Sequence, residues 1–316
     1  MKCTAAPRFS LHASTCLSIF FGCIAIVATA ACCGAAEPAS EPKKLGILIF
    51  GAHPDDAEFK AGGVAAKWSR LGHRVKLVSV TNGDIGHWQT AGGPLAQLRT
   101  AEAKAADAKL GAASQVLDIH DGELLPTLEH RQTITRIIRE WQADIVIAHR
   151  PWDYHPDHRY VGVLVQDAAF MVTVPFFCPD TPPLKTNPVF MYSSDAFQKP
   201  YPFRADVAVA LDDVFAQKLD ALHELASQVY EGGAGGSEES VRQVPPAKDE
   251  SGRRNWLKAR WEDRQGREAE RFRDTLVRLY GEERGKAVRF AEAFELCEYG
   301  RRPTPAELRT LFPFFD

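Results

Sequence analysis

Two short clusters in this 316-residue chain carry residue types suited to metal and proton chemistry. The first is His53-Pro54-Asp55-Asp56 and the second is His155-Pro156-Asp157-His158. Imidazoles and carboxylates are the ligands that catalytic divalent cations take. His53 and Asp56, three residues apart around one turn, could face a single ion. HPDD is also a good turn sequence, because Pro presets φ and Asp accepts local backbone hydrogen bonds. Two imidazoles and one carboxylate would leave coordination positions open, as catalytic zinc sites do, and zinc brings the pKa of its water to about 7. The same set holds Fe(II) in oxygenases. The residues therefore name a ligand type, not a metal.

The elements that must position these clusters can be read on either side of them. Ile47 to Phe50 is a β-branched apolar run, a buried strand that stops at Gly51, and the first cluster follows at once. Gly62 and Gly63 then lead into an apolar-periodic helix that ends on Gly72. Residues 143–149 form another strand, with Ile145-Val146-Ile147 fit for burial on both faces, and the second cluster opens a helix over 158–172. Each cluster thus stands where a strand ends and a helix begins. In open α/β sheets that edge is where ligands bind.

Between the clusters lie a strand (75–81), a helix (93–111), a strand (114–119) and a helix (127–142). This alternation predicts an α/β fold with a mostly parallel sheet, helices on both faces and a single domain. No G-x-G-x-x-G follows the first strand, so a dinucleotide site has no support. Beyond Pro175 the pattern loosens to two strands, VFMYS and 206–211, and an amphipathic helix over 213–230. Residues 231–254 carry Gly, Ser, Pro and charge without apolar period and read as a solvated loop, a lid being the alternative. A charged helix near 255–280 and the strand-like VRFAEAFELCEY close the chain.

Residues 1–36 read as an export signal: Lys2 and Arg8 precede an apolar segment, and Gly34-Ala35-Ala36 offers a small-residue cleavage site. Ala30-Ala31-Cys32 also resembles a lipoprotein processing box, which leaves a lipid anchor open as the one contact with a membrane. The protein is expected outside the cytoplasm, periplasmic or extracellular, as one domain over 37–316. Intact mass from the native host checks this, since a mature chain still starting at Met1 excludes cleavage. Loss of Lys2 and Arg8 moves the formal charge from −3 to −5, which gives no electrostatic ground for nucleic-acid binding. Five of the seven cysteines lie in the export segment; only Cys178 and Cys297 remain, so this is no disulfide scaffold.

With these residues in view, the chain resembles the LmbE/PIG-L family of metal-dependent N-deacetylases. The first family motif, A-H-P-D-D followed by Ala-Glu, is Ala52 to Glu58, and the second, H-P-D-H, is His155 to His158. Thr81-Asn82-Gly83-Asp84, the pair Arg99 and Glu102, and Asp121-Gly122 also look like family features. The resemblance runs from about Leu45 to Asp167 and more weakly to Ser227-Gln228. It implies a Rossmann-like fold and removal of an acetyl group from an N-acetylglucosamine-type sugar or conjugate, with Zn2+, or Fe2+, as cofactor. His53, Asp56 and His158 would hold the metal. Asp55 would be the general base, and His155 would stabilise the oxyanion with Asp157 holding its imidazole. Arg99 and Asp121 would contact sugar hydroxyls or a neighbouring acidic group. Hydrolysis of another amide or ester at the same site, or a carbohydrate-binding protein without turnover, are the competing functions.

Overall fold

A computed structural model describes residues 43–315. The proposed export segment, 1–36, lies outside the described residues. From Lys43 onward the chain is one compact unit built on a seven-stranded sheet in the order β3-β2-β1-β4-β5-β7-β6. The strands are β1 (Gly46–Gly51), β2 (Arg74–Ser79), β3 (Ala113–Val116), β4 (Ile145–Ala148), β5 (Val189–Ser193), β6 (Val207–Ala210) and β7 (Ala291–Leu296). The first five pair in parallel, while β7 runs antiparallel to both β5 and β6. Helices α1 (Asp56–Arg70), α2 (Gly93–Leu110), α3 (Leu128–Trp141) and α4 (Pro156–Met171) connect the parallel strands, and α5 (Phe215–His223) follows β6.

Strands β1 and β4 are buried along their whole length, as expected of apolar runs covered on both faces. They pair directly, Ile47 against Ile145 and Ile49 against Ile147. The chain leaves β1 toward β2 and β3 on one side, then returns to lay β4 and β5 on the other. The gap beyond β1 and β4 is thus the topological switch point, where the loops on either side diverge and leave a crevice.

Helix α1 crosses this core with two glycines inside it. Gly63 and Val64 give their N–H groups to the two Glu292 oxygens, both at 2.8 Å, and Lys218 Nζ takes the Phe59 carbonyl at 2.9 Å and Glu292 Oε1 at 2.5 Å. A buried ion pair thereby satisfies backbone groups in mid-helix, which apolar side chains could not do. A Cβ at Gly63 would meet Leu211 at 2.6 Å, so only glycine permits this approach.

The second half departs from its reading in two places. The helix expected over 213–230 breaks at Leu225 into α5 and a single turn, Ala226–Val229. The 231–254 segment contains a helical turn, Glu238–Arg242, and the start of the long helix Glu250–Arg271. A capped C-terminal helix, Pro305–Leu311, goes beyond the sequence reading; Thr304 and Glu307 form its capping box. Cys178 and Cys297 are separate buried thiols. Among the described residues no helix is long and apolar enough to cross a membrane.

Candidate active site

Gly51 closes β1, and a Cβ there would lie 2.7 Å from Asp56 Cβ, so glycine lets the first turn of α1 fold back on the strand end. Asp56 then points into the turn, where its Oδ2 accepts the Ala52 and His53 N–H groups at 3.0 and 2.9 Å. A carboxylate is favoured at this helix end by the free N–H groups and the dipole. At the second cluster Pro156 takes the first position of α4, where its missing N–H costs nothing. His155 caps that helix, its Nδ1 accepting the Asp157 N–H at 3.2 Å. This bond leaves Nε2 as the protonated nitrogen of the neutral ring.

The two clusters meet at one point. His53 Nδ1, Asp56 Oδ2 and His158 Nε2 form a triangle whose three edges are each 3.3 Å. Tetrahedral ligands at the usual zinc distances stand about 3.3–3.4 Å apart. The outer nitrogens are spoken for: His53 Nε2 faces Asp121 Oδ1 at 3.0 Å, and His158 Nδ1 faces Asp153 Oδ1 at 3.0 Å. A carboxylate behind each imidazole fixes the tautomer and turns a lone pair inward, as metal-binding histidines require.

The electrostatics ask for positive charge here. Burial opposes a charge on His53, yet Asp121, Asp157 and Asp56 hold its pKa well above the ordinary histidine value. Burial likewise opposes charge on His158, but Asp56 and Asp153 raise it to about 9. Burial would raise Asp56; the neighbouring imidazoles, His158 first, hold it well below the usual carboxylate range. Two inner nitrogens 3.3 Å apart cannot both carry a proton toward each other without repulsion. One divalent cation answers the same demand, so the donor set fits a metal.

Asp55, the next residue, is not a corner of the triangle but lines the same pocket. Its Oδ2 accepts from Arg99 Nη2 at 3.3 Å. Burial lifts its carboxyl to about 6, although the Arg99 guanidinium pulls it down. That makes it a stronger proton acceptor than an ordinary aspartate. His155 is kept neutral by partial burial and by the neighbouring His53 and His158. His149 is also kept neutral by burial and stacks on His158 at 4.3 Å, a supporting position beneath the triangle.

Asp157 differs from its sequence reading. Asp157 does not hold His155: its Oδ2 accepts the Gly122 N–H at 2.7 Å and lies 3.3 Å from His53 Nε2. Its side chain thus reaches the imidazole that follows β1 instead of bonding the one at its own cap. Arg99 and Asp121 reach the pocket wall, but their polar partners are protein groups. Arg99 is buried, bonding the Pro54 and Gly83 carbonyls at 3.1 Å as well as Asp55. A Cβ at Gly83 or Gly86 would fall on its guanidinium, which explains the glycine of TNGD. Asp121 backs His53. Asp153 was missed, although it precedes HPDH by two residues; Lys60 and Arg264 on the pocket wall carry no local signal at all.

The pocket around the triangle has a volume of about 540 Å³ and also receives Tyr154, Gln228 and the Gly232–Gly235 stretch. The segment read as a solvated loop is therefore partly a wall. Trp88 pins it, its backbone N–H bonding Gly233 O at 2.9 Å and its indole N–H bonding Glu231 O at 2.7 Å.

A family model described as GlcNAc-PI de-N-acetylase (PIG-L) matches residues 48–169, which span both clusters. Diacetylchitobiose deacetylase of Thermococcus kodakarensis is 31% identical over 201 residues, covering 62% of this chain and 73% of that protein. The chain belongs to the PIG-L family. The chain is a hydrolase, a metal-dependent N-deacetylase. A 4-oxalmesaconate hydratase of Pseudomonas putida is 25% identical over 210 residues, with 63% of this chain and 79% of that protein covered. Among solved structures, the N,N'-diacetylchitobiose deacetylase of Pyrococcus horikoshii shares the fold, with a TM-score of 0.60 at 24% identity over 80% of this chain and 84% of that one.

Proposed function

We propose that this PIG-L protein is a zinc-dependent deacetylase that removes the acetyl group from an N-acetylglucosamine-type sugar or conjugate. The observation that carries the reading is the 3.3 Å triangle of His53, Asp56 and His158 beside a carboxyl, Asp55, lifted to about 6. The relatives named as diacetylchitobiose deacetylases support the substrate class.

His53, Asp56 and His158 would hold the cation. When bound it polarises the amide oxygen and makes water more acidic. Asp55 takes the proton from the attacking water and returns it to the departing amine, which leaves poorly unless protonated. Arg99 fixes the Asp55 carboxylate so that one oxygen remains free for that proton. His155 donates Nε2–H to the oxyanion that develops on the acetyl carbon's oxygen. Asp121, with Asp157, and Asp153 hold the two imidazoles in place.

Asp153→Ala tests that last role: cation affinity, read by chelator competition, should fall about 10–100-fold. Unchanged affinity would remove Asp153 from it. The function itself is tested by metal content together with acetate release across N-acetylglucosamine, N,N'-diacetylchitobiose and larger conjugates. Stoichiometric zinc and acetate release support it. If none of these releases acetate while an unsaturated dicarboxylic acid gains water, the site serves a hydratase and the deacetylase reading fails.

A further inference from the structure

A smaller chamber, of about 170 Å³, adjoins the catalytic pocket on the side of β5 and β7. The two are continuous, since Phe59, Lys60, Asp195, Ala196 and Arg264 line both. Lys60 stands at this junction one turn beyond Asp56 on α1, and Arg264 reaches it from the long helix Glu250–Arg271. Glu268, one turn further along that helix, lines the chamber and not the catalytic pocket.

The cations at the junction are unspent. Asp195 is taken by Arg150 through two contacts of 2.6 Å, and Glu292 by Lys218 and two α1 N–H groups. Arg271 gives a donor to the Asp195 carbonyl. Lys60 Nζ has one fixed acceptor, the Ser194 carbonyl at 2.8 Å, whereas an ammonium carries three donors. Arg264 lies 5.7 and 5.9 Å from the ring centroids of Trp261 and Phe59. Ring contact holds a guanidinium in place while its in-plane donors stay free. Burial lowers the Lys60 pKa and the Arg264 charge lowers it further; the opposing charges of Asp56 and Glu268 do not make this up. Two cations this close repel, and an anion between them reverses that cost. Beyond the junction Glu268 buries its Oε1 without a partner, an acceptor suited to water.

Deacetylation makes one small anion. Water's oxygen joins the acetyl carbon, the C–N bond breaks and the amine leaves with the proton, so the other product is acetate. The amino sugar then stands between that acetate and the pocket mouth. An acetate that stays occupies the place of the next water.

We propose that the side chamber is an acetate site: the product carboxylate passes into it from the catalytic pocket and is held by Lys60 and Arg264. The inference rests on the deacetylase reading. A water takes about 30 Å³ of liquid, so the chamber admits acetate's four heavy atoms with water beside them. Glu268, past the two cations, keeps the anion from binding too firmly, and its Oε1 accepts from that water.

Product inhibition tests it, with amine release from N,N'-diacetylchitobiose followed in added acetate. The double variant Lys60→Met, Arg264→Gln should raise the acetate inhibition constant ~10-fold or more, through lost charge-assisted hydrogen bonds. Inhibition by glucosamine, an amine product, should not change. Glu268→Gln should lower the acetate constant ~3-fold or more, because it removes a like charge. A misfolded protein does not bind acetate more tightly, so this second variant keeps the test decisive. Acetate constants equal to wild type in both variants overturn the chamber and leave the deacetylase reading standing. Acetate and glucosamine inhibition weakened together in the double variant, with no change in Glu268→Gln, also overturn it. If no N-acetyl substrate releases amine, that reading fails, and line broadening of the acetate methyl resonance by the purified protein decides the site. Broadening lost in the double variant and stronger in Glu268→Gln supports it; broadening absent or unchanged overturns it.

Discussion

Asp55→Asn is expected to keep the fold and the bound cation while losing turnover by on the order of 10²–10⁴-fold, the usual cost of removing a general base. Asparagine retains an oxygen for the Arg99 Nη2 donor at 3.3 Å, so the local packing survives. Its amide cannot accept the proton that the carboxylate takes. Asp56→Ala should do the reverse. It deletes the oxygen that stands 3.3 Å from both His53 Nδ1 and His158 Nε2, together with the acceptor for two backbone N–H groups. Metal content should fall, and activity with it. Metal analysis beside initial rates separates the two. Full cation occupancy in Asp56→Ala with depletion in Asp55→Asn would exchange their roles.

His158→Ala should deplete the cation, because it removes one corner of the triangle and the ring that Asp153 orients at 3.0 Å. His155→Ala should leave one cation per chain and lower kcat by on the order of 10²–10³-fold, the cost of one oxyanion donor. The contrast rests on which nitrogen is free. His155 spends Nδ1 on its own helix cap, at 3.2 Å from the Asp157 N–H, and so presents a donor. Substrate KM should barely move in His155→Ala, since the interaction strengthens as charge develops. Zinc titration of both variants while following deacetylation checks this. Recovery of His155→Ala to near wild-type rate in excess zinc would make His155 a ligand and end the oxyanion role.

The sequence by itself determined the element order through α4, the strand-end position of both clusters and the ligand types on offer. These follow from short-range physics: apolar period, the Pro and Gly that punctuate elements, and residues three apart on one turn. His53 and Asp56, or His155 and His158, are such local pairs. Their meeting is not local. His53 and His158 lie 105 residues apart and touch because β1 pairs with β4, a strand order that no spacing encodes. The same packing decided that Asp157 lies beside His53 and that Arg99 pairs with Asp55. Asp153 looks like any surface charge in sequence. Only the tertiary structure places it beside His158, because what a charge faces is set by packing between elements far apart in the chain.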